Sequence, residues 1–111
     1  MAKRLPPVHP GEVLREEFME PLGISINALA RDLHVPVSRI SKIVNEERGI
    51  SAETAIRLAR YFVMSSEFWM NLQSRYDLQV AQQQGSKIIR REVRPRELDR
   101  STPSNLTVGY R

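Results

Sequence analysis

Apolar residues recur at spacings of three and four along the first 84 residues, and this period is typical of amphipathic α-helices. Segments that contain proline, glycine or a capping serine separate the periodic stretches. We therefore expect an all-α fold for this part of the chain. The pattern predicts five helices, at about residues 10–22, 25–33, 37–45, 51–62 and 65–84.

The third predicted helix divides clearly into two faces. At about 100° per residue, Val37, Ile40 and Val44 fall within about 60° of one another and form an apolar face. The opposite face is polar and able to form hydrogen bonds. It consists of Ser38, Lys42 and Asn45, with Arg39 beside them. We expect the apolar face to pack in the core and the polar face to be exposed.

The fifth predicted helix is apolar on two sides. Its main stripe consists of Phe68, Trp69, Leu72, Tyr76 and Val80. A second side carries Met70, Leu78 and Ala81. A helix with two apolar sides needs two packing partners. We expect the core of its own domain to cover one side and a second copy to cover the other, in a homodimer to which residues 65–84 contribute.

The helical pattern ends at Gly85, and the charge changes there. Residues 1–84 carry 10 basic and 10 acidic side chains, whereas residues 85–111 carry 7 and 3, so the whole net charge of +4 lies in the second segment. We predict a helical domain at residues 1–84 and a basic C-terminal tail at 85–111, with short strands at Lys87–Val93 and Leu106–Tyr110. Such a tail can add affinity for phosphate, or it can be a solvated end.

Composition excludes several classes of protein. A chain of 111 residues fits one domain with a modest core, which leaves little room for a large substrate pocket. The absence of cysteine excludes a disulfide framework and a thiolate metal site, and it suits the cytoplasm. No apolar run is long enough for a membrane span.

Catalytic and metal chemistry are not expected either. His9 and His34 lack partners at the spacing of a metal site, and both are expected at the surface or in turns. The chain has no glycine-rich loop that could hold a phosphate group. We therefore expect no enzyme activity, no metal and no cofactor.

The second and third helices, joined by a tight turn, have the pattern of a helix-turn-helix. The small Ala30 permits close packing between them. His34 stands where the turn favours glycine, and histidine is among the residues enriched at positive φ. A polar outer face on the third helix suits a DNA major groove, which is about 12 Å wide. The same pattern also describes an ordinary surface helix with solvated side chains.

The polar side chains of the third helix match the chemistry of base edges. Lys42 can contact guanine O6 and N7, and Asn45 can pair with adenine N6 and N7. Ser38 can reach a base edge or a phosphate. Other residues of the predicted DNA-binding set are expected beside phosphates. These are Asn27, Arg31, Arg39 and Arg48.

Several short motifs occur together between residues 8 and 82. They include His9-Pro10-Gly11-Glu12, Pro21-Leu22-Gly23, Arg39-Ile40-Ser41, Arg48-Gly49-Ile50-Ser51, Arg57-Leu58-Ala59-Arg60-Tyr61-Phe62, Ser66-Glu67-Phe68-Trp69 and Tyr76-Asp77-Leu78. In these motifs the chain resembles the HigA antitoxins, also called VapI-type proteins, of the Xre/Cro-like helix-turn-helix family. The resemblance implies a five-helix, lambda-repressor-like fold and a dimer that binds operator DNA in its own promoter and represses it. It also implies that the protein neutralises a HigB-type toxin, a RelE-like ribonuclease that cuts mRNA on the ribosome.

Two features depart from that family. Val63-Met64 replaces the glycine that commonly follows the Tyr-Phe pair, and the basic extension beyond about residue 85 is longer than expected. Two alternatives remain open. The protein could be a stand-alone, phage-like transcriptional repressor, which a neighbouring toxin gene would exclude. It could also be a toxin-binding scaffold that no longer reads DNA, which detectable operator binding would exclude.

Overall fold

The computed structural model describes residues 6–97, and within this range the chain forms five helices. The first, α1, is continuous over residues 10–22 and has three parts. These are an α-helical turn at Pro10–Val13, a π-helical segment at Leu14–Met19 and a last α-helical turn at Glu20–Leu22. The others are α2 (Ile26–Leu33), α3 (Val37–Val44), α4 (Ala52–Phe62) and α5 (Ser66–Glu92). The predicted all-α, five-helix fold is confirmed.

Serine side chains begin three of the helices. Ser25, Ser51 and Ser65 each accept a hydrogen bond from the amide three residues further on, at 3.0, 3.3 and 3.2 Å. Each bond satisfies one of the amides that have no partner in the first turn of a helix. These local bonds explain why the starts of α2, α4 and α5 lie where the sequence predicts them.

A buried histidine begins α1. The Nδ1 atom of His9 accepts a hydrogen bond of 2.9 Å from the Gly11 amide. The His9 ring also lies edge-on to Tyr76 of α5, with 4.8 Å between ring centroids. The expected surface or turn position of His9 is therefore wrong, because this side chain caps α1 and joins the contact between α1 and α5. Burial lowers its pKa from the ordinary value, which favours the neutral ring that the cap requires.

The core lies between α1, α2, α3, α4 and the first turns of α5. Its fully buried side chains include Leu14, Leu29, Ile40, Ile43, Leu58 and Trp69. The Trp69 ring contacts Phe18 of α1, with 5.1 Å between ring centroids. Burying one large apolar side chain contributes roughly 1.5–3 kcal/mol. Isolated eight-residue helices are not stable in water, so this packing holds α2 and α3 together.

One predicted core position of α3 is wrong. Val37 is 46% exposed, whereas Ile43 is fully buried with Ile40 and Val44. The reason is the place of α1, which packs against the C-terminal half of α3 and covers Ile43. Val37 lies in the first turn, directly after the extended N-cap residue Pro36. The polar face predicted opposite the core remains exposed.

The predicted end of the last helix is also wrong. α5 passes Gly85 and continues to Glu92, so the segment predicted as a strand at Lys87–Val93 is helical up to its last residue. A single glycine inside a helix costs only about 0.5–1 kcal/mol relative to alanine. Good helix formers on both sides of Gly85 compensate for that cost, and basic residues in the last turn interact favourably with the helix dipole. The second predicted strand, Leu106–Tyr110, lies outside the described residues.

The far part of α5 carries an uncovered apolar side. At 100° per residue, Leu78, Ala81, Gly85 and Ile89 fall within about 80° of one another. Leu78 and Ile89 are 59% and 53% exposed. Lys87, Arg90 and Arg91 lie on the opposite side of the helix. This amphipathic segment therefore offers one apolar and one basic face.

None of the helices within residues 6–97 combines the length and the apolar character that crossing a bilayer requires.

Candidate nucleic-acid interface

The outer face of α3 is polar and exposed, as the sequence predicts. Ser38, Lys42 and Asn45 are exposed, and Arg39 at the edge of this face is half-buried. The amide nitrogen Nδ2 of Asn45 lies 3.5 Å from Ser41 Oγ, the limit for a hydrogen bond, so the Asn45 side chain keeps its capacity to bind other groups. The face therefore presents hydroxyl, ammonium and amide groups together.

The turn between α2 and α3 holds the two helices at a fixed angle. His34 adopts the left-handed conformation, with φ 60° and ψ 46°, as its place in the turn predicts. The amide of Val35 then donates to the Ala30 carbonyl at 3.0 Å, and the amide of His34 donates to the Arg31 carbonyl at 3.2 Å. Ala30 is fully buried, which lets the helices pack closely. This is the geometry of a helix-turn-helix.

The C-terminal end of α3 is fixed by α1. Arg15, in the π-helical segment, donates a hydrogen bond to the carbonyl of Val44 and lies 3.7 Å from the Glu46 carboxylate. Gly11 lies against the same end of α3, where an added Cβ would be 1.8 Å from the Ile43 carbonyl oxygen. Only glycine fits this backbone contact. α1 therefore fixes the last turn of α3 and sets how closely the two helices pack.

The loop after α3 is held by α5. Gln73 accepts a hydrogen bond from the Ile50 amide at 2.6 Å and donates one to Asp77 at 2.9 Å. Its side chain also lies directly against Gly49. Arg48, which precedes this clamp, is exposed. The loop that carries Arg48 is thus tied to the longest helix of the domain.

An ion-pair network lies at the N-terminal edge of the same face. The Glu53 carboxylate, in the first turn of α4, accepts from Arg39 Nη1 at 3.1 Å. It also accepts from Nε and Nη2 of Arg57 at 3.3 and 3.0 Å. Hydrogen bonds from Arg57 and then Arg39 lower the pKa of Glu53, so this carboxylate is ionised at neutral pH. Arg57 also donates to the Leu33 carbonyl at the end of α2, at 2.9 Å.

The predicted DNA-binding residues fall into three groups. Ser38, Arg39, Lys42 and Asn45 share α3. Asn27 and Arg31 are exposed on α2, and the Arg31 guanidinium lies 3.5 Å from Asp32. Arg48 belongs to the loop after α3.

Sequence reasoning missed the residues that support this surface. Arg15 and Gln73 act through contacts between distant parts of the chain, which no local pattern reveals. Glu53 and Arg57 could have been found as a pair, since a glutamate four residues before an arginine is a recognised helical ion pair. Within the described range, no group of three or more histidine, aspartate or glutamate side chains converges as metal ligands would.

Comparisons with known proteins agree with this architecture. The helix-turn-helix family model matches residues 16–68. Virulence-associated protein I of Dichelobacter nodosus is 52% identical over 84 residues, which cover 76% of this chain and 78% of that protein. The Pseudomonas aeruginosa antitoxin HigA, solved with the higBA promoter, is 53% identical with a TM-score of 0.78, covering 80% of this chain and 97% of that one. The antitoxin GraA, solved in complex with its operator, is 40% identical with a TM-score of 0.81, covering 88% and 99%.

Proposed function

Because this chain belongs to the helix-turn-helix family of the HigA antitoxins, we propose that it is a DNA-binding antitoxin that binds operator DNA in its own promoter. The observation that carries this proposal is the exposed polar face of α3. This helix is held by α1 and α2, and the loop that follows it is bonded to α5. Relatives of the same fold and high identity were solved with promoter or operator DNA. In this proposal α3 enters the major groove.

Each predicted residue then has a role in binding. Lys42 and Asn45 read base edges, and Ser38 contacts a base edge or a phosphate. Phosphate contacts come from four charged or polar residues on α2, on the edge of α3 and in the loop after α3. These are Asn27, Arg31, Arg39 and Arg48.

The uncovered side of α5 supports assembly as a homodimer. Leu78 and Ile89 are more than half exposed and share one side of this helix with Ala81, so they form a continuous apolar stripe and not scattered surface residues. A second copy could cover this side by a two-fold contact. Two α3 helices would then lie about 34–36 Å apart, one turn of B-DNA. Sedimentation as a monomer at micromolar concentration would contradict the dimer.

The second partner in this proposal is a HigB-type toxin, which cuts mRNA and which the antitoxin neutralises in the cytoplasm. The support is the antitoxin function stated in the names of HigA and GraA. Such proteins act by binding rather than by catalysis. A stand-alone repressor differs in having no toxin, so the open reading frame beside this gene decides between the two. Rescue of growth by this chain when that neighbour is expressed would establish neutralisation.

Operator titration tests the DNA-binding part. The full chain is titrated with the DNA upstream of its own gene and with a random duplex of equal length. We expect tighter binding to the upstream DNA, and we expect replacement of Ser38, Lys42 and Asn45 by alanine to abolish that preference without lowering the melting temperature. Full operator affinity in the triple variant would mean that α3 does not read DNA, and the scaffold alternative would replace this proposal.

A further inference from the structure

We propose that Glu53 is a positioning residue for DNA binding, because it holds the guanidinium of Arg39 at the edge of the α3 face in the orientation that meets a phosphate. This inference rests on the proposed function, since Arg39 borders the face that would enter the groove. Glu53 itself is an anion and would repel DNA. In this proposal Glu53 therefore assists binding only by orienting Arg39.

A chain of bonds fixes the Glu53 carboxylate in place. Arg57 Nη1 is bonded to the Leu33 carbonyl, so the Arg57 side chain is tied to the end of α2. The other two nitrogens of Arg57 both bond to Oε2 of Glu53. This leaves Oε1 for Arg39, at 3.1 Å. The position of Arg39 thus derives from α2 and α4 as well as from its own helix.

The geometry leaves Arg39 able to bind a second anion. The bond to Glu53 uses Nη1, and within residues 6–97 no hydrogen bond engages its Nε or Nη2. A guanidinium has five donors in a planar fork and can serve two carboxylate or phosphate groups on different edges. Exposed ion pairs of this kind contribute little to folding stability. Loss of this network should therefore leave the fold intact, so that an effect on DNA binding can be measured separately.

The expected gain in DNA affinity comes from the Arg39 side chain being ordered before DNA binds. A long side chain that becomes immobilised on association weakens binding by about 2- to 12-fold. Arg39 is already constrained, with only 24% of its side chain exposed. Loss of Glu53 should remove this advantage. The direction is diagnostic, because neutralising a carboxylate near DNA should otherwise strengthen binding.

A double-mutant cycle in the full-length chain tests the proposal. Operator and random duplexes are titrated at 50–200 mM salt with the unmodified protein, Arg39→Gln, Glu53→Gln and the double variant. Glu47→Gln is the matched control, since Glu47 is an exposed glutamate just after α3 with no ion pair among the described residues. Circular dichroism melting curves check that each variant folds.

We expect Glu53→Gln to weaken operator binding by about 2- to 12-fold, while Glu47→Gln leaves it unchanged or strengthens it. Arg39→Gln should reduce the slope of log affinity against log salt by about 0.9, the value for one lost phosphate contact. In the Arg39→Gln background, Glu53→Gln should cause no further weakening.

Three results would overturn the inference. Tighter or unchanged binding by Glu53→Gln would show that the carboxylate does not assist Arg39. Equal weakening in both backgrounds would show that Glu53 acts independently of Arg39. An unchanged salt slope in Arg39→Gln would show that the pair only braces α3. Absence of any operator preference in the unmodified protein would instead refute the proposed function.

Discussion

Ile40→Ala and Lys42→Ala, two residues apart on α3, should have opposite consequences. Ile40 has no exposed surface and lies in the core. Its truncation removes buried carbon atoms and leaves a cavity, which costs about 2–5 kcal/mol of unfolding free energy. In a domain of this size each kcal/mol lowers the melting temperature by roughly 4–8 °C. We therefore expect a decrease of about 8 °C or more.

Lys42→Ala should affect DNA and spare the fold. Lys42 is exposed on the polar face, where a substitution usually changes stability by less than about 0.5 kcal/mol. If Lys42 reads a base, its loss should cost about 1–3 kcal/mol of operator binding, or roughly 5- to 160-fold. Preference at one base pair in each half-site should also relax.

The assay combines a melting curve and an operator titration for each variant, with operators changed at single base pairs. If Lys42→Ala weakens binding equally to every DNA sequence, this lysine contacts a phosphate and not a base. An unchanged melting temperature in Ile40→Ala would refute the assignment of Ile40 to the core. Loss of specificity in Ile40→Ala at temperatures where it is fully folded would show that the two faces of α3 are not separable.

Three further perturbations follow from single contacts. Burial lowers the pKa of His9 despite the nearby carboxylates of Glu46 and Asp77. The unfolded chain therefore binds more protons than the folded chain below about pH 6.5, and stability should fall as the pH drops through that range. His9→Asn keeps an acceptor for the cap, and its melting temperature should change less between pH 7 and pH 5. Val63 is 88% exposed at φ 55°, and left-handed strain of about 1–3 kcal/mol exceeds the entropic cost of glycine, so Val63→Gly should raise the melting temperature more than Val63→Ala does. If the basic face of α5 contacts phosphates, replacing Arg90 and Arg91 by glutamine should weaken binding to operator and random DNA equally. It should also reduce the slope of log affinity against log salt by about 0.9 per lost contact. An unchanged slope would exclude that contact.

Features decided by neighbouring residues could be predicted from the sequence. The starts of α2 and α4 follow from serine side chains that bond three residues ahead. The left-handed turn at His34 follows from the break between two helical patterns and from a residue type that tolerates positive φ. The polar face of α3 follows from its period, because a helix of two turns places its polar residues opposite its apolar ones.

Features decided by distant contacts could not be predicted. Val37 and Ile43 lie on either flank of the same apolar arc, and only the position of α1 selects Ile43 for burial. The continuation of α5 past Gly85 depends on a sum of small helix propensities, each comparable to the cost of one glycine. The hydrogen bonds that Arg15 donates to Val44 and that Ile50 donates to Gln73 join residues 29 and 23 positions apart, so no local sequence pattern reveals them.

The contacts that hold α3 and the loop after it differ in how well they tolerate substitution. The contact at Gly11 is between backbones, so a Cβ there cannot be relieved by rotating a side chain and must separate α1 from α3. The Gln73 clamp and the Glu53 network are made by side chains at partly exposed positions, where water can replace a lost bond. Change at Gly11 therefore alters the fold itself. Change at Glu53 alters the orientation of Arg39, and change at Gln73 loosens the loop that carries Arg48, while the fold persists. Variation in DNA binding between relatives is accordingly expected at the side-chain supports rather than at the backbone contact.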